Sequence, residues 1–182
     1  MRITISGTPG AGKSTTARML GERLGYPAIN AGQIFRDAAT ERDMSLEAFG
    51  AYVDTHPEID RELDAQLVGA GREQEDVILE GRLAGWMTKN AGIPAFRIWM
   101  TADEKTRLQR IQRRDGGKIT EVRKRLQNRE KSERDRYISV YGLDLSDLSP
   151  YDLNVQTDTR TPEENVAFIL EAIDTANGQR RT

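Results

Sequence analysis

Gly7-Thr8-Pro9-Gly10-Ala11-Gly12-Lys13-Ser14 matches G-x-x-x-x-G-K-[ST] at every fixed position. The run before it, Ile3 to Ser6, is short and β-branched. The run after it, about Lys13 to Leu24, reads as a helix that Gly25 would end. Strand, glycine-rich turn and helix in that order give the match its meaning. Glycines let the backbone curl so that successive N–H groups point inward, and the helix N-terminus adds partial positive charge. The stretch from Gly7 to Thr15 therefore predicts a nucleoside triphosphate cradle. Lys13 would serve the β/γ-phosphates, and the Ser14 hydroxyl would ligate Mg²⁺.

Working outward, strands and helices alternate. A weak second strand is expected over Tyr26 to Ile29. Helices follow over Gln33 to Arg42, Ser45 to Asp54 and Glu58 to Gly71. Asp76-Val77-Ile78-Leu79-Glu80 reads as a buried strand ending in an acid, and Phe96 to Met100 as another strand. A further strand lies around Leu153 to Gln156. Thr101-x-x-Glu104 has the form of a capping box before a long arginine-rich helix. Thr161-Pro162-Glu163-Glu164 has the same form, with proline at the first helical position. The helix it opens repeats Val166, Ile169, Leu170 and Ile173 at helical spacing. This alternation predicts an α/β fold with a parallel sheet of about five strands flanked by helices in three layers. Glu80, at a strand C-terminus beside the cradle, is the expected metal-side acid.

The composition narrows the class. The chain has 182 residues, enough for one domain, with 37% hydrophobic and 31% charged residues. It has no cysteine, which excludes disulfides, zinc-thiolate sites and thiol catalysis. No apolar run approaches a membrane span, and the first residues lack a signal-peptide pattern. A cytoplasmic protein is expected, without a membrane or nucleic-acid partner.

The formal charge is −2, from 27 basic and 29 acidic residues. Of the basic residues 21 are Arg and 6 are Lys, and they cluster. Glu104 to Arg136 holds 13 basic and 6 acidic residues, a net +7 against −9 elsewhere. RNA binding through this cluster is the weaker reading, because it lacks interleaved aromatics apart from Tyr137. Two polyphosphates repel strongly at close range, so arginines beside a triphosphate cradle suit phosphoryl transfer between anionic substrates. Arg110, Arg113 and Arg114 precede Asp115-Gly116-Gly117-Lys118, whose adjacent glycines suit a hinge. Arg110 and Arg114, four residues apart, are the expected lid arginines at the transferring group. Arg123, Lys124 and Arg125 are expected to face solvent. His56, the only histidine, reads as structural, Trp86 and Trp99 as packing residues, and Glu58 to Asp64 as a wet helix face. An Asn-Lys-x-Asp guanine element is absent.

Several strings resemble nucleoside monophosphate kinases. Asn30-Ala31-Gly32-Gln33-Ile34-Phe35-Arg36 is similar to their acceptor-side helix, and Glu80-Gly81-Arg82-Leu83-Ala84-Gly85 to the acid-Gly-Arg string of cytidylate kinases. Arg129-Glu130-Lys131-Ser132-Glu133-Arg134-Asp135-Arg136 resembles the R-x-x-x-[DE]-x-x-R stretch that those enzymes use at the acceptor nucleotide. From Arg2 to about Ala176 the chain resembles the short archaeal-type cytidylate kinases. Asn30 brings no hydroxyl where related kinases often have Ser, and Glu133 stands where bacterial relatives have Asp.

The resemblance implies one P-loop kinase domain over 1–178. Its core would be 1–30, 75–110 and 143–178, its acceptor region about 31–72 and its lid about 110–136. It implies ATP and Mg²⁺ as donor and ion, CMP or dCMP as acceptor, and a monomer. Lys13, Arg110, Arg114 and Arg129 would be catalytic. Arg36, Arg82, Arg129, Glu133 and Arg136 would bind the acceptor, and Ser14 and Glu80 the metal. The rivals are another small-molecule P-loop kinase, acting on AMP, UMP or a shikimate-like acceptor, and a non-kinase P-loop switch.

Overall fold

Hydrophobic strands laid side by side set the architecture. In the computed structural model, which describes residues 1–179, the strands are β1 (Arg2–Gly7), β2 (Ala28–Asn30), β3 (Val77–Glu80), β4 (Phe96–Thr101) and β5 (Leu153–Gln156). All pair in parallel, in the order β2-β3-β1-β4-β5. The helices are α1 (Lys13–Leu24), α2 (Ala31–Glu41), α3 (Leu46–Asp54), α4 (Pro57–Glu73), α5 (Ala84–Asn90), α6 (Glu104–Asp115), α7 (Ile119–Tyr141) and α8 (Pro162–Gln179).

Successive strand residues point to opposite faces, so each face has its own helical cover. Ile3, Ile5, Ile78, Ile98, Met100 and Val155 pack against Ala17 and Leu20 of α1 and against Val166, Ile169 and Ile173 of α8. Val77 and Leu79 turn the other way, onto Leu67 of α4 and Ala84 of α5. The three layers and five parallel strands expected from the sequence are present. Two satellite clusters stand off the sheet. Phe49, Val53, Ala38, Ala39 and Ile59 knit α2, α3 and α4 together. Leu108, Val122 and Leu126 hold α6 against α7.

The chain steps from β1 out to β2, returns to β3, then crosses β1 to reach β4. In such open sheets the crevice lies outside the strand C-termini where the order reverses. Gly7 ends β1 and Glu80 ends β3, so both stand at that crevice.

Gly7 has φ 145°, and a β-carbon there would stand 1.9 Å from the Met100 carbonyl oxygen on β4. The carbonyl belongs to a central strand and cannot swing aside. Gly7→Ala should therefore destabilise the chain by about 3 kcal/mol or more, a fall in Tm of roughly 10 °C at this length. A thermal melt of the purified variant checks it.

Local expectations fared unevenly. Thr161 and Glu164 form the second capping box, with Thr161 N–H on the Glu164 carboxylate at 2.7 Å and Glu164 N–H on Thr161 Oγ1 at 3.2 Å. The first box does not form. Thr101 stays in β4, and Asp103 caps α6 by accepting from Thr106 N–H at 2.6 Å. Parallel pairing of Thr101 with Gln156 extends the strand past the residue that the local pattern selects. The second strand runs over Ala28–Asn30, set by pairing with β3. His56 stacks on Tyr52 with ring centroids 3.9 Å apart, and Trp99 packs on Tyr151. The stretch from Glu58 to Asp64 is not uniformly wet: Asp60 is 8% exposed and ion-paired.

Candidate active site

The turn from Gly7 to Ser14 joins β1 to α1 through left-handed glycines, with φ 80° at Gly10 and 89° at Gly12. Lys13 lies across it and donates to the Thr8 carbonyl at 3.0 Å. Burial, helped by the neighbouring Arg82 guanidinium and opposed by Glu80, lowers its pKa from 10.5 to about 8. An ammonium held this way gains most when an anion arrives beside it.

Ser14 opens α1 and donates its hydroxyl to Glu80 Oε2 at 3.1 Å. Glu80 is buried, and burial pushes its carboxyl above the ordinary range, with Lys13 opposing. Asn30 completes this corner. Its carbonyl oxygen caps α2 by accepting from Gln33 N–H at 2.9 Å, and its amide nitrogen donates to Glu80 Oε2. One amide thus both caps α2 and holds the Glu80 carboxylate. Among the described residues no group of three His, Asp or Glu could hold a metal. A hydroxyl and one carboxylate fit an ion that keeps water and phosphate oxygens as its remaining ligands, as Mg²⁺ does.

Arg82 sits just past β3, its side chain 13% exposed. It donates from Nη1 to the Gly7 carbonyl at 2.8 Å and from Nε to Glu133 Oε2 at 2.6 Å. Arg129 donates from Nε to the other oxygen, Glu133 Oε1, at 2.7 Å. One buried carboxylate on α7 thus holds two guanidiniums beside the cradle. Burial alone would raise the Glu133 carboxyl, but Arg82 and Arg129 together outweigh it and hold it below the ordinary glutamate value. Both Glu133 oxygens are engaged, so it stands as a counter-ion rather than an open edge. Arg36 is exposed on α2, braced by Gln33 Oε1 at 2.8 and 3.2 Å, and close enough to lower the Glu80 pKa.

The other arginines divide. Arg136 points away from the cradle, pairing with Asp54 at 3.0 Å and Asp60 at 2.9 Å. Arg110 reaches the underside of the cradle, bonding Thr157 Oγ1 at 2.8 Å, the Thr157 carbonyl at 2.7 Å and the Gly10 carbonyl at 3.4 Å. Arg114, four residues on, is 66% exposed and paired with Asp115. Arg113 is exposed, as are Arg123, Lys124 and Arg125. Gly116 and Gly117, with φ 71° and 91°, make the break between α6 and α7.

Three residues escaped the sequence reading. Arg107 is half-buried and links the Pro9 carbonyl, at 3.4 Å, to Glu130 of α7, at 2.5 Å. Thr157 joins Arg110 to the Ala11 carbonyl, which it meets at 2.9 Å. Asp60 joins α4 to α7. Each has a partner more than seventy residues away in sequence, so no local spacing marks it.

The arrangement offers donors for one polyphosphate over the cradle and a second cluster of guanidiniums for another anion alongside. Comparison with known proteins bears on its chemistry. The family model described as "Cytidylate kinase-like family" matches residues 2–159. The cytidylate kinase of Pyrococcus abyssi is 44% identical over 172 residues, covering 94% of this chain and 93% of that one. That of Thermoplasma volcanium is 42% identical over 174 residues, covering 96% and 92%. Among solved structures, an uncharacterised protein from Eubacterium ventriosum aligns with a TM-score of 0.70 at 16% identity, covering 96% and 98%. Shikimate kinase from Aquifex aeolicus aligns with a TM-score of 0.58 at 19% identity, covering 97% and 98%. At these identities the two structures show a shared fold.

Proposed function

The chain belongs to the cytidylate kinase-like family, and from that premise we infer that it transfers the γ-phosphoryl group of ATP to CMP, giving CDP and ADP. The observation that carries the reading is the pair Arg82 and Arg129, fixed by one carboxylate beside a complete phosphate cradle. We extend it to dCMP as acceptor, to Mg²⁺ as the ion and to a monomer. No helix among the described residues is long and apolar enough to cross a membrane.

The mechanism follows from the donors. Backbone N–H groups of Gly10 and of Gly12 to Thr15 hold the ATP phosphates, with Lys13 at the β- and γ-phosphates. Ser14 and Glu80 would hold Mg²⁺, which would supply neutralising positive charge to the phosphates when bound. Arg82, Arg129 and Arg36 take the acceptor phosphate as planar two-pronged donors. A CMP phosphate oxygen then bonds the γ-phosphorus as the bond to the bridging β–γ oxygen breaks. The acceptor is already an anion, so the chain needs no general base. Positioning and charge stabilisation supply the catalysis.

The acceptor region of about 31–72 and the lid of about 110–136 are proposed as moving parts on the sheet core. Each has its own small hydrophobic cluster, which suits motion as a unit. In the lid, Arg114 is free to swing inward from its exposed pairing. Arg110 instead ties the cradle to the turn after β5, so its contribution is to hold the cradle in shape. Closure shuts out water, the competing acceptor.

Coupled ADP release with ATP, Mg²⁺ and a panel of acceptors tests the reading. CMP and dCMP should turn over best, with AMP and shikimate near background. Faster turnover of AMP or UMP than of CMP overturns it. Hydrolysis indifferent to every monophosphate indicates a non-kinase switch.

A further inference from the structure

Asp60 is a buried carboxylate that the mechanism above does not use. It lies on α4, 8% exposed, against Arg136 of α7. Their contact, Arg136 Nε to Asp60 Oδ2 at 2.9 Å, has a geometry that satisfies neither atom. Both lack a hydrogen-bond partner among the described residues. Arg136 donates instead from Nη1 to Asp54, at the end of α3, at 3.0 Å. Two acids therefore share one guanidinium, with Glu133 near enough to disfavour charge on Asp60 as well. A buried donor and a buried acceptor, side by side and unsatisfied, call for a partner with the reverse pattern.

Their position says which partner. On α7, Glu133 and Arg136 are three residues apart and share a face, with a rise of about 4.5 Å between them. Glu133 marks the phosphate end, because it holds Arg82 and Arg129. Arg136 and Asp60 come one step further from the cradle, along the seam between α7 and the acceptor-region helices. An acceptor with its phosphate on Arg82 and Arg129 extends its sugar and base along that seam.

We propose that Asp60 and Arg136 read the pairing edge of the acceptor base and select cytosine over uracil. This rests on the CMP reading given above. An ionised carboxylate only accepts and a guanidinium only donates. Cytosine presents the matching order: its N4 amino group donates to Asp60, and N3 or O2 accepts from Arg136 Nε–H. Uracil carries a carbonyl oxygen at position 4 and an N–H at position 3. Its O4 would face the Asp60 carboxylate, acceptor against acceptor, and leave both unpaired in a buried site. Base binding opens the ion pair and gives each partner a better-directed bond.

The test is the ratio of kcat/KM for CMP to kcat/KM for UMP in the full-length enzyme. Asp60→Asn offers an amide that can donate to uracil O4, and the ratio should fall roughly tenfold or more. Arg136→Gln should also lower it. Asp64→Asn is the control. Asp64 lies one turn along α4, bonded by the Tyr141 hydroxyl at 2.6 Å, and should leave the ratio unchanged. Equal loss on both substrates, with the ratio kept, makes Asp60 a brace between α4 and α7 and overturns the proposal. If Asp60→Asn melts before assay, the Arg136→Gln ratio decides alone, a fall supporting the proposal and an unchanged ratio overturning it. A wild type inactive on both pyrimidine monophosphates overturns the CMP reading itself, and this assignment with it.

Discussion

Lys13→Met should lose roughly 10³-fold in kcat while the protein becomes more stable. The kinetic loss follows from position. Lys13 lies across the mouth of the cradle on the Thr8 carbonyl, where the β- and γ-phosphates would sit. The other five lysines all lie at position 89 or beyond, outside the Gly7 to Ser14 turn. The gain in stability follows from charge. Folding lowers the Lys13 pKa from 10.5 to about 8, so the folded protein holds this proton less tightly than the unfolded chain does. The ammonium therefore opposes folding at every pH below about 8, by up to about 3 kcal/mol. That opposition fades as pH rises from 8 towards 10.5. Lys13→Met should melt higher than wild type at pH 7 and lose most of the advantage near pH 10. Kinetics at saturating CMP and melts at both pH values check the two halves. Near-normal transfer would remove Lys13 from the site. A lower melting temperature at pH 7 would mean that the stem, rather than the charge, dominates there.

Features carried by neighbouring residues were legible in the sequence. The cradle, the acid at the end of β3 and the Thr161 cap each depend on residues within about eight positions of one another. Local chemistry decides them, and the fold class follows from their order. The first cap failed because a strand partner, Gln156, outweighed a local preference at Thr101. Propensity is a weak prior that tertiary pairing overrides.

Individual arginines were legible as a group and not in their tasks. The sequence shows a net +7 segment but not which anion each cation meets. Arg110 and Arg114 occupy one helical face, yet Arg110 bonds Thr157 and Gly10 while Arg114 stays in solvent. Arg107, one turn earlier on that same face, is the most enclosed of the three, because Pro9 and Glu130 converge on it. Arg129 and Arg136 look equivalent in the R-x-x-x-[DE]-x-x-R string, but they meet Glu133 and Asp60 respectively. Asp60 itself sits in an acidic run that reads as a wet face until α7 packs over it. These partners come from elements folded together across the crevice, which one-dimensional spacing does not carry.

Arg82→Lys should keep the fold and the positive charge yet lose roughly 10²- to 10³-fold in kcat/KM for CMP. Arg82 spends one arm on the Gly7 carbonyl and its Nε and Nη2 on the Glu133 carboxylate. That three-point fixing aims a rigid plane at the place where the acceptor phosphate meets the γ-phosphate. An ammonium is a single point: on Glu133 it leaves the Gly7 carbonyl without its donor, and towards the phosphate it leaves Glu133 half-neutralised. Either choice also frees Arg129, which depends on the same carboxylate. The loss should therefore be sharper for CMP than for ATP. KM for ATP should stay within about threefold, because the cradle donors are backbone groups and Lys13. Melting should shift by only a few degrees, since Lys still pairs with Glu133. Two outcomes count against this role: kinetics within a few-fold of wild type, or a loss that rises and falls with melting temperature on both substrates alike. The reciprocal change separates grip from charge. Glu133→Gln keeps both guanidiniums and removes what fixes them, so it should raise KM for CMP more than it lowers kcat. Arg82→Lys should lower kcat itself, because two-pronged stabilisation matters most when charge is spread over the transferring group.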